Sequence, residues 1–245
     1  MVTFVGATGG TTANNGPTIT LHEDIQAGDL LVMLLGVNSP AYTHSLPPGW
    51  VQLDKANSTG GSAPPYTVLM WKTAASADAG SQVQVPVSPT GSKQAICVAA
   101  YRGTLLTPQI DVFGIEVPST DSEDLAFPSL STTQDDAILV LGGVRKSSTT
   151  PHNWVTPTGA TERAFSTASG GGAISAILAD MPQDFAGAIS VDPWTTTGIS
   201  NSAGSASIVA IYEGEPPELK KPVFRRMTQF GWYPPREGTE SPFFS

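Results

Sequence analysis

Six stretches of the chain are apolar almost without interruption, at 30–37, 66–71, 95–101, 137–144, 173–178 and 206–212. Each is strand-length and bounded by Gly, Pro, Asn, Asp or Ser. Such runs predict strands covered on both faces or lying centrally in a sandwich. Three others, 18–22, 81–85 and 187–191, alternate apolar and polar residues, which predicts strands with one face towards solvent. No stretch carries a helical period long enough to make a convincing helix. The pattern is that of an all-β protein.

The strands recur as a set. Gly28-Asp-Leu-Leu-Val-Met-Leu-Leu-Gly-Val37 matches Asp135-Asp-Ala-Ile-Leu-Val-Leu-Gly-Gly-Val144, each with an acid before the run and Gly-Val at its end. A polar loop with a histidine follows (His44, His152), then proline and tryptophan: Pro47-Pro-Gly-Trp50 and Pro151-His-Asn-Trp154. The halves close on Ile96-Cys-Val-Ala-Ala-Tyr-Arg-Gly103 and Ser207-Ile-Val-Ala-Ile-Tyr-Glu-Gly214. The offset is 107 residues at the first block and 111 at the last, far beyond the roughly 20–50 of solenoid repeats. We therefore expect an antiparallel β-sandwich of jelly-roll type with two pseudo-repeated halves, 1–107 and 108–214, as one sandwich or two packed together.

The opening Val2-Thr-Phe-Val-Gly-Ala-Thr-Gly-Gly10 imitates a dinucleotide-binding strand and glycine turn. That motif works only when a helix follows to hold the pyrophosphate. Here Thr-Thr-Ala-Asn-Asn-Gly-Pro17 follows, a loop sequence. The motif is read as the first strand, paired in the second half with Ile110-Asp-Val-Phe113, its glycines supplying a turn. No cofactor is expected.

Composition agrees. Charged residues make up only 13%, and Gly (25) and Pro (21) are abundant, which suits many short strands. Residues 1–214 hold 7 Lys/Arg against 17 Asp/Glu, a net −10, while 215–245 carry +1. With no basic face in the body, nucleic-acid binding is not expected. The longest apolar run is too short to cross a bilayer, so no membrane insertion is expected. The N-terminus lacks the basic start and long apolar stretch of a signal peptide, and Cys97 stands alone in an apolar run. These point to synthesis in a cytoplasm, without disulfides.

Catalytic signatures are missing from the sequence: it has no Gly-x-Ser-x-Gly elbow, His-Glu-x-x-His, P-loop or cysteine pair. No enzyme activity, catalytic residue or metal site is expected. His22, His44 and His152 are dispersed, and Asp121-Ser-Glu-Asp124 lacks a Ca²⁺-binding pattern around it. Trp50 and Trp154 are read either as core plugs or as glycan-binding faces.

After Gly214 the composition changes. Glu215-Pro-Pro-Glu-Leu-Lys-Lys-Pro222 is a charged, proline-rich linker. Beyond it come Phe224, Arg225, Arg226, Phe230, Trp232, Tyr233, Phe243 and Phe244 with no helical or strand period. Aromatics with arginine are what interface cores favour. Residues 215–245 are read as an extended arm that docks on a neighbouring subunit, with folding back on the same chain as the alternative.

Five blocks in order, Gly28-Asp-Leu-Leu-Val32, Pro47-Pro-Gly-Trp50, a Ser/Gly loop, Tyr66-Thr-Val-Leu-Met-Trp-Lys72 and Ala99-Ala-Tyr-Arg-Gly103, resemble the β-sandwich modules of virion proteins of tailed bacteriophages. Such modules occur mostly in minor tail proteins, especially in phages of actinobacteria. The resemblance covers residues 1–214. The second half departs from it, with Asp-Asp for Gly-Asp and no Pro-Pro-Gly-Trp. It implies a non-enzymatic virion protein, in the tail sooner than the capsid. Other virion proteins are the implied partners, with several copies around a symmetry axis. The alternatives are a carbohydrate-binding adhesin or capsid decoration module contacting host cell-wall glycan, and last a hydrolase acting on that envelope.

Overall fold

The uninterrupted apolar runs form the centres of two five-stranded antiparallel sheets. The structure, a computed structural model, describes residues 1–12, 16–59, 64–118, 123–147, 153–197 and 203–214; the proposed arm, 215–245, lies outside the described residues. The first half contains β1 (Val2–Thr12), β2 (Thr18–Thr20), β3 (Leu30–Val37), β4 (Thr43–His44), β5 (Val51–Asn57), β6 (Tyr66–Thr73), β7 (Gln82–Gln84), β8 (Val87–Ser88) and β9 (Gln94–Gly103). The second contains β10 (Pro108–Glu116), β11 (Asp124–Leu125), β12 (Ser131–Thr132), β13 (Ala137–Lys146), β14 (Asn153–Val155), β15 (Thr161–Ala168), β16 (Ile174–Gln183), β17 (Gly187–Ala188), β18 (Trp194–Thr197) and β19 (Ala203–Glu213). Among the described residues the one helical turn is a 3-10 turn at Ser76–Asp78.

The large sheets have the same strand order, β1-β9-β3-β6-β5 and β10-β19-β13-β16-β15. Short ribbons cover the outer face of each: β2-β7 and β4-β8 on the first, β12-β17 and β11-β18-β14 on the second. The chain passes back and forth between large sheet and ribbon layer, which is the jelly-roll path.

Four layers enclose three cores, and this explains the apolar runs. Along β3, Leu30, Val32 and Leu34 enter the core between the large sheets, while Leu31, Met33 and Leu35 enter the ribbon core of the first half. Along β19, Val209 and Ile211 face the middle core, and Ile208 and Ala210 the second ribbon core. A strand with a core on each face has no polar side to show.

The halves are related by a pseudo-twofold whose register differs from the sequence match by one residue. Leu30 pairs with Tyr101 and Thr73, as Ile138 pairs with Ile211 and Pro182. Leu30 and Ile138 are therefore equivalent and both pack on the middle core; aligning the acids instead matches Leu30 with Ala137 and Tyr101 with Tyr212. A one-residue slip exchanges the two faces of a strand. The local cause lies at the strand entrance. Gly28 (φ 94°) and Asp136 (φ 53°) occupy the same left-handed position, which aspartate tolerates better than most residues. In this register, two equivalent pairs meet across the middle core with sizes reversed. The methyls of Leu34 lie 3.1 and 3.3 Å from where a Cβ on Gly142 would stand, and Val144 Cγ1 lies 2.6 Å from the corresponding point on Gly36.

A second correction concerns the tryptophans. Trp50 N–H donates to Pro47 O (3.1 Å) over Gly49, and Ala160 N–H donates to Pro157 O (3.0 Å) over Gly159. The counterpart of Pro47-Pro-Gly-Trp50 is therefore Pro157-Thr-Gly-Ala160, and Trp154, on β14, corresponds to His44 on β4. The opening glycines are also not a turn. They lie inside β1 because neighbours approach it closely: the His22 ring stands 2.4 Å from a Cβ position on Gly6, and Phe165 O 2.5 Å from one on Gly9.

All four edge strands of the large sheets carry a register break, after Phe4 in β1, after Gln52 in β5, after Ile110 in β10 and after Glu162 in β15. The ladders among the inner strands run unbroken. Bulged edges resist pairing with strands of other molecules.

Candidate functional site

The predicted arm residues Phe224, Arg225, Arg226, Phe230, Trp232, Tyr233, Phe243 and Phe244 lie outside the described residues, as do His152 and Asp121. Trp50 is 4% exposed and packs in the first ribbon core, so neither ring face is open to a sugar. Trp154 is half-buried; its Nε1–H donates to Ser175 Oγ (3.0 Å) and its ring meets Trp194 edge-on at 5.5 Å. The two tryptophans sit on opposite outer layers and form no common platform. Trp50→Ala is expected to cost about 3–5 kcal/mol of stability, read from urea unfolding, through loss of a buried aromatic.

The buried acids among the described residues, Asp29, Asp78 and Asp180, each hold an ion pair. Asp29 accepts two bonds from Arg102, both 2.8 Å, and one from Gln26 N–H, which fixes the turn before β3. Asp78 accepts from Lys72 Nζ at 2.6 Å. Asp180 joins the halves. Its Oδ2 accepts from the Tyr101 hydroxyl (3.1 Å) and Arg163 Nε (2.9 Å), and its Oδ1 lies 2.9 Å from Arg163 Nη2. The Arg163 guanidinium covers the Phe4 ring at 4.1 Å, and Phe4 meets Tyr101 edge-on at 5.9 Å. Burial, then the Asp180 charge, pushes the Tyr101 phenol well above its ordinary value. Periodicity did not single out this cluster; an aspartate ending the apolar run Ile174-Ser-Ala-Ile-Leu-Ala-Asp180 was its one trace in the sequence.

Cys97 Sγ lies 3.4 Å from Ala176 O. Burial, then the charge of Glu162, raises its thiol pKa, so it is a packing residue rather than a nucleophile. Among the described residues no group of three or more His, Cys, Asp or Glu is placed to hold a metal, and no helix is long and apolar enough to cross a membrane. Asp124 Oδ1 accepts from Thr195 Oγ1 at 2.8 Å, tying β11 to β18.

His44 is the titratable group in the first ribbon layer with a distinct environment. Its Nε2 lies 3.1 Å from Gln52 Oε1, and its ring tilts against Tyr66 at 5.8 Å. Burial lowers its pKa from 6.5, with Lys55 adding to the effect and the Gln52 bond opposing it. The folded chain thus holds this imidazole neutral. Stability contributed there is fully present above pH 6.5. It declines as pH falls below that value towards the lower folded pKa, because the unfolded chain binds the proton first. Urea midpoints for the protein and His44→Gln are expected to diverge between about pH 7.5 and about pH 5.5, the variant losing less on acidification.

Two surface depressions, each of about 260 Å³, occur among the described residues. One lies between Gln26–Asp29 and Arg102–Pro108, with the Asp29–Arg102 pair in its wall. The other opens in the ribbon layer of the second half, between Ala126–Ser129 and Ile189–Pro193, with Ile208 behind them. Both fall below the roughly 300–1,000 Å³ of small-molecule pockets.

The second depression arises where a ladder stops. Leu125 pairs with Trp194 and Ser131 with Ala188, but the five residues between on each side, 126–130 and 189–193, are joined only by Ile189 N–H donating to Leu130 O at 2.9 Å. Pro128 and Pro193 lack the N–H that would extend the pairing. In the first half two residues, Val85 and Pro86, bridge β7 and β8, and Val85 N–H donates to Pro17 O at 3.1 Å. Gly16 lies so close that a Cβ would stand 2.0 Å from Val85 O. The bond from the residue after β7 to the residue before β2 thus recurs between Ile189 and Leu130, and the longer β17–β18 connection is what distinguishes the second half.

No protein-family model matches the chain, and no curated protein sequence or solved structure is significantly similar to it.

Proposed function

We propose that the chain is a structural component of a tailed-phage particle, a minor tail protein whose C-terminal arm joins it to its neighbours. The observation that carries this reading is a duplicated jelly roll whose four sheet edges are all bulged. A body built this way does not grow by adding strands. Assembly is left to the segment after Gly214, where aromatic and arginine residues are concentrated. The resemblance of residues 1–214 to phage virion modules, carried by five blocks between 28 and 103, supplies the setting, since a fold by itself does not specify a function. The buried Trp50 counts against the glycan-binding alternative.

Residues 1–214 form a compact unit of their own, so removing 215–245 is expected to leave a folded body with an unchanged melting temperature. That truncated chain should fail to enter particles. Normal incorporation, judged by electron microscopy and by protein content of purified virions, would rule the arm out.

A further inference from the structure

We propose that His44 makes the β4–β8 ribbon an acid-operated flap: a proton added to its ring releases the ribbon from Tyr66, while the matching ribbon of the second half stays closed. His44 lies on a two-residue strand that pairs with β8, Thr43 opposite Ser88 and His44 opposite Val87, and Ser45 N–H donates to Pro86 O at 3.0 Å. Its ring lies against Tyr66, which is fully buried on β6. Gln52 Oε1 accepts from Nε2–H, so Nδ1 is the bare nitrogen of the neutral ring. Nδ1 is shut off from solvent, and among the described residues it has no hydrogen-bond partner.

Protonation turns Nδ1 into a second donor, charged and buried without an acceptor, which is far costlier than a bare nitrogen. The neighbouring charges add to this. Lys55 Nζ stands 4.4 Å from the centre of the Tyr66 ring that His44 also meets, so an imidazolium and an ammonium would crowd one ring. Among the described residues no free carboxylate faces them. Asp54 pairs with Leu69 of the middle core and so stands on the other face of the sheet. On the ribbon side, Asp78 is held by Lys72 from β6, and Arg102 of β9 is held by Asp29; β8 brings no charge. Burial, opposed by the Gln52 bond and helped by Lys55, lowers the pKa of the closed form from 6.5, so acid favours the open one. An opened ribbon uncovers Tyr66 and the apolar core beside it.

The duplicated fold carries its own control. Trp154 takes the equivalent place on β14, and its Nε1–H has an acceptor in Ser175 Oγ at 3.0 Å. An indole accepts no proton in this range.

The test follows amide hydrogen exchange in the full-length chain, each rate referred to the unprotected rate at the same pH. His152, two residues before Trp154 in the sequence, is replaced throughout (His152→Gln), so that no histidine adjoins the second ribbon along the chain. Between about pH 7.5 and about pH 5, protection at 43–45 and 87–88 is expected to fall about fivefold or more, and protection at 153–155 and 194–197 to stay unchanged. His44→Gln should abolish the fall, and Lys55→Gln, which removes the like charge, should reduce it. No fall, an equal fall in both ribbons, or a fall that survives His44→Gln would overturn the proposal. If His44→Gln has already lost its ribbon protection at the higher pH, Lys55→Gln decides, and a fall as large as the parent's overturns it.

Discussion

Gly36→Ala is expected to destabilise the protein by about 1–3 kcal/mol, the cost of overpacking a closed core. The added methyl would stand 2.6 Å from Val144 Cγ1 and 3.2 Å from Ile174 Cδ1. Both belong to the opposite sheet and to the middle core, so the clash falls on the contact between halves. Shortening the opposing residue tests this directly. Val144→Ala alone leaves a small void and also destabilises, but in the Gly36→Ala background it makes room. The two changes together should therefore cost less than their sum, by about 0.5–3 kcal/mol in a double-mutant cycle. Strict additivity in urea unfolding would mean that the large sheets do not meet at this point.

Asp180→Ala is expected to be the more damaging of the two, at about 2–4 kcal/mol. Breaking a buried pair typically costs about 3–5 kcal/mol, reduced here because the Arg163 side chain is 26% exposed and partly screened. The loss would come from two orphans, a guanidinium above Phe4 and a buried Tyr101 hydroxyl deprived of its Asp180 acceptor. Asp180→Asn keeps an acceptor for Tyr101 and should lose less. Replacing Tyr101, Arg163 and Asp180 together by Phe, Leu and Leu should recover most of the stability, since a buried polar cluster removed whole leaves no orphan. If the triple variant is as unstable as Asp180→Ala, the cluster contributes a net attraction rather than register between the halves.

The central strands were legible in the sequence because they are covered twice. Leu30-Leu-Val-Met-Leu-Leu35 could only be a strand between two cores, and the duplication was visible in its recurrence. The edge strands β5 and β15 were not legible: Val51-Gln-Leu-Asp-Lys-Ala-Asn57 and Thr161-Glu-Arg-Ala-Phe-Ser-Thr-Ala168 have one side in water and a bulge that breaks their alternation. The repeat was found with its faces exchanged because the motif residues are conspicuous letters, whereas register is set by backbone. Gly28 and Asp136 do the same conformational task with different side chains, and matching acid to acid slips the frame by one. Trp50 was paired with Trp154 for the same reason, although its structural counterpart is an alanine. The interrupted ladder of the second half had no sequence signal beyond a lengthened connection and two prolines, Pro128 and Pro193.

The inner strands have one further consequence. Segments such as Leu30–Val37 and Ala137–Val144 are low in charge, free of proline and rich in strand-formers, the composition that stacks into amyloid-type zippers when exposed. In each sheet they lie between other strands, and every outer strand is kinked. At high concentration the chain would be at risk of fibrillation if those kinks were straightened. The four irregularities at the rims are thus safeguards against misassembly, placed where the most dangerous sequences would otherwise find a template.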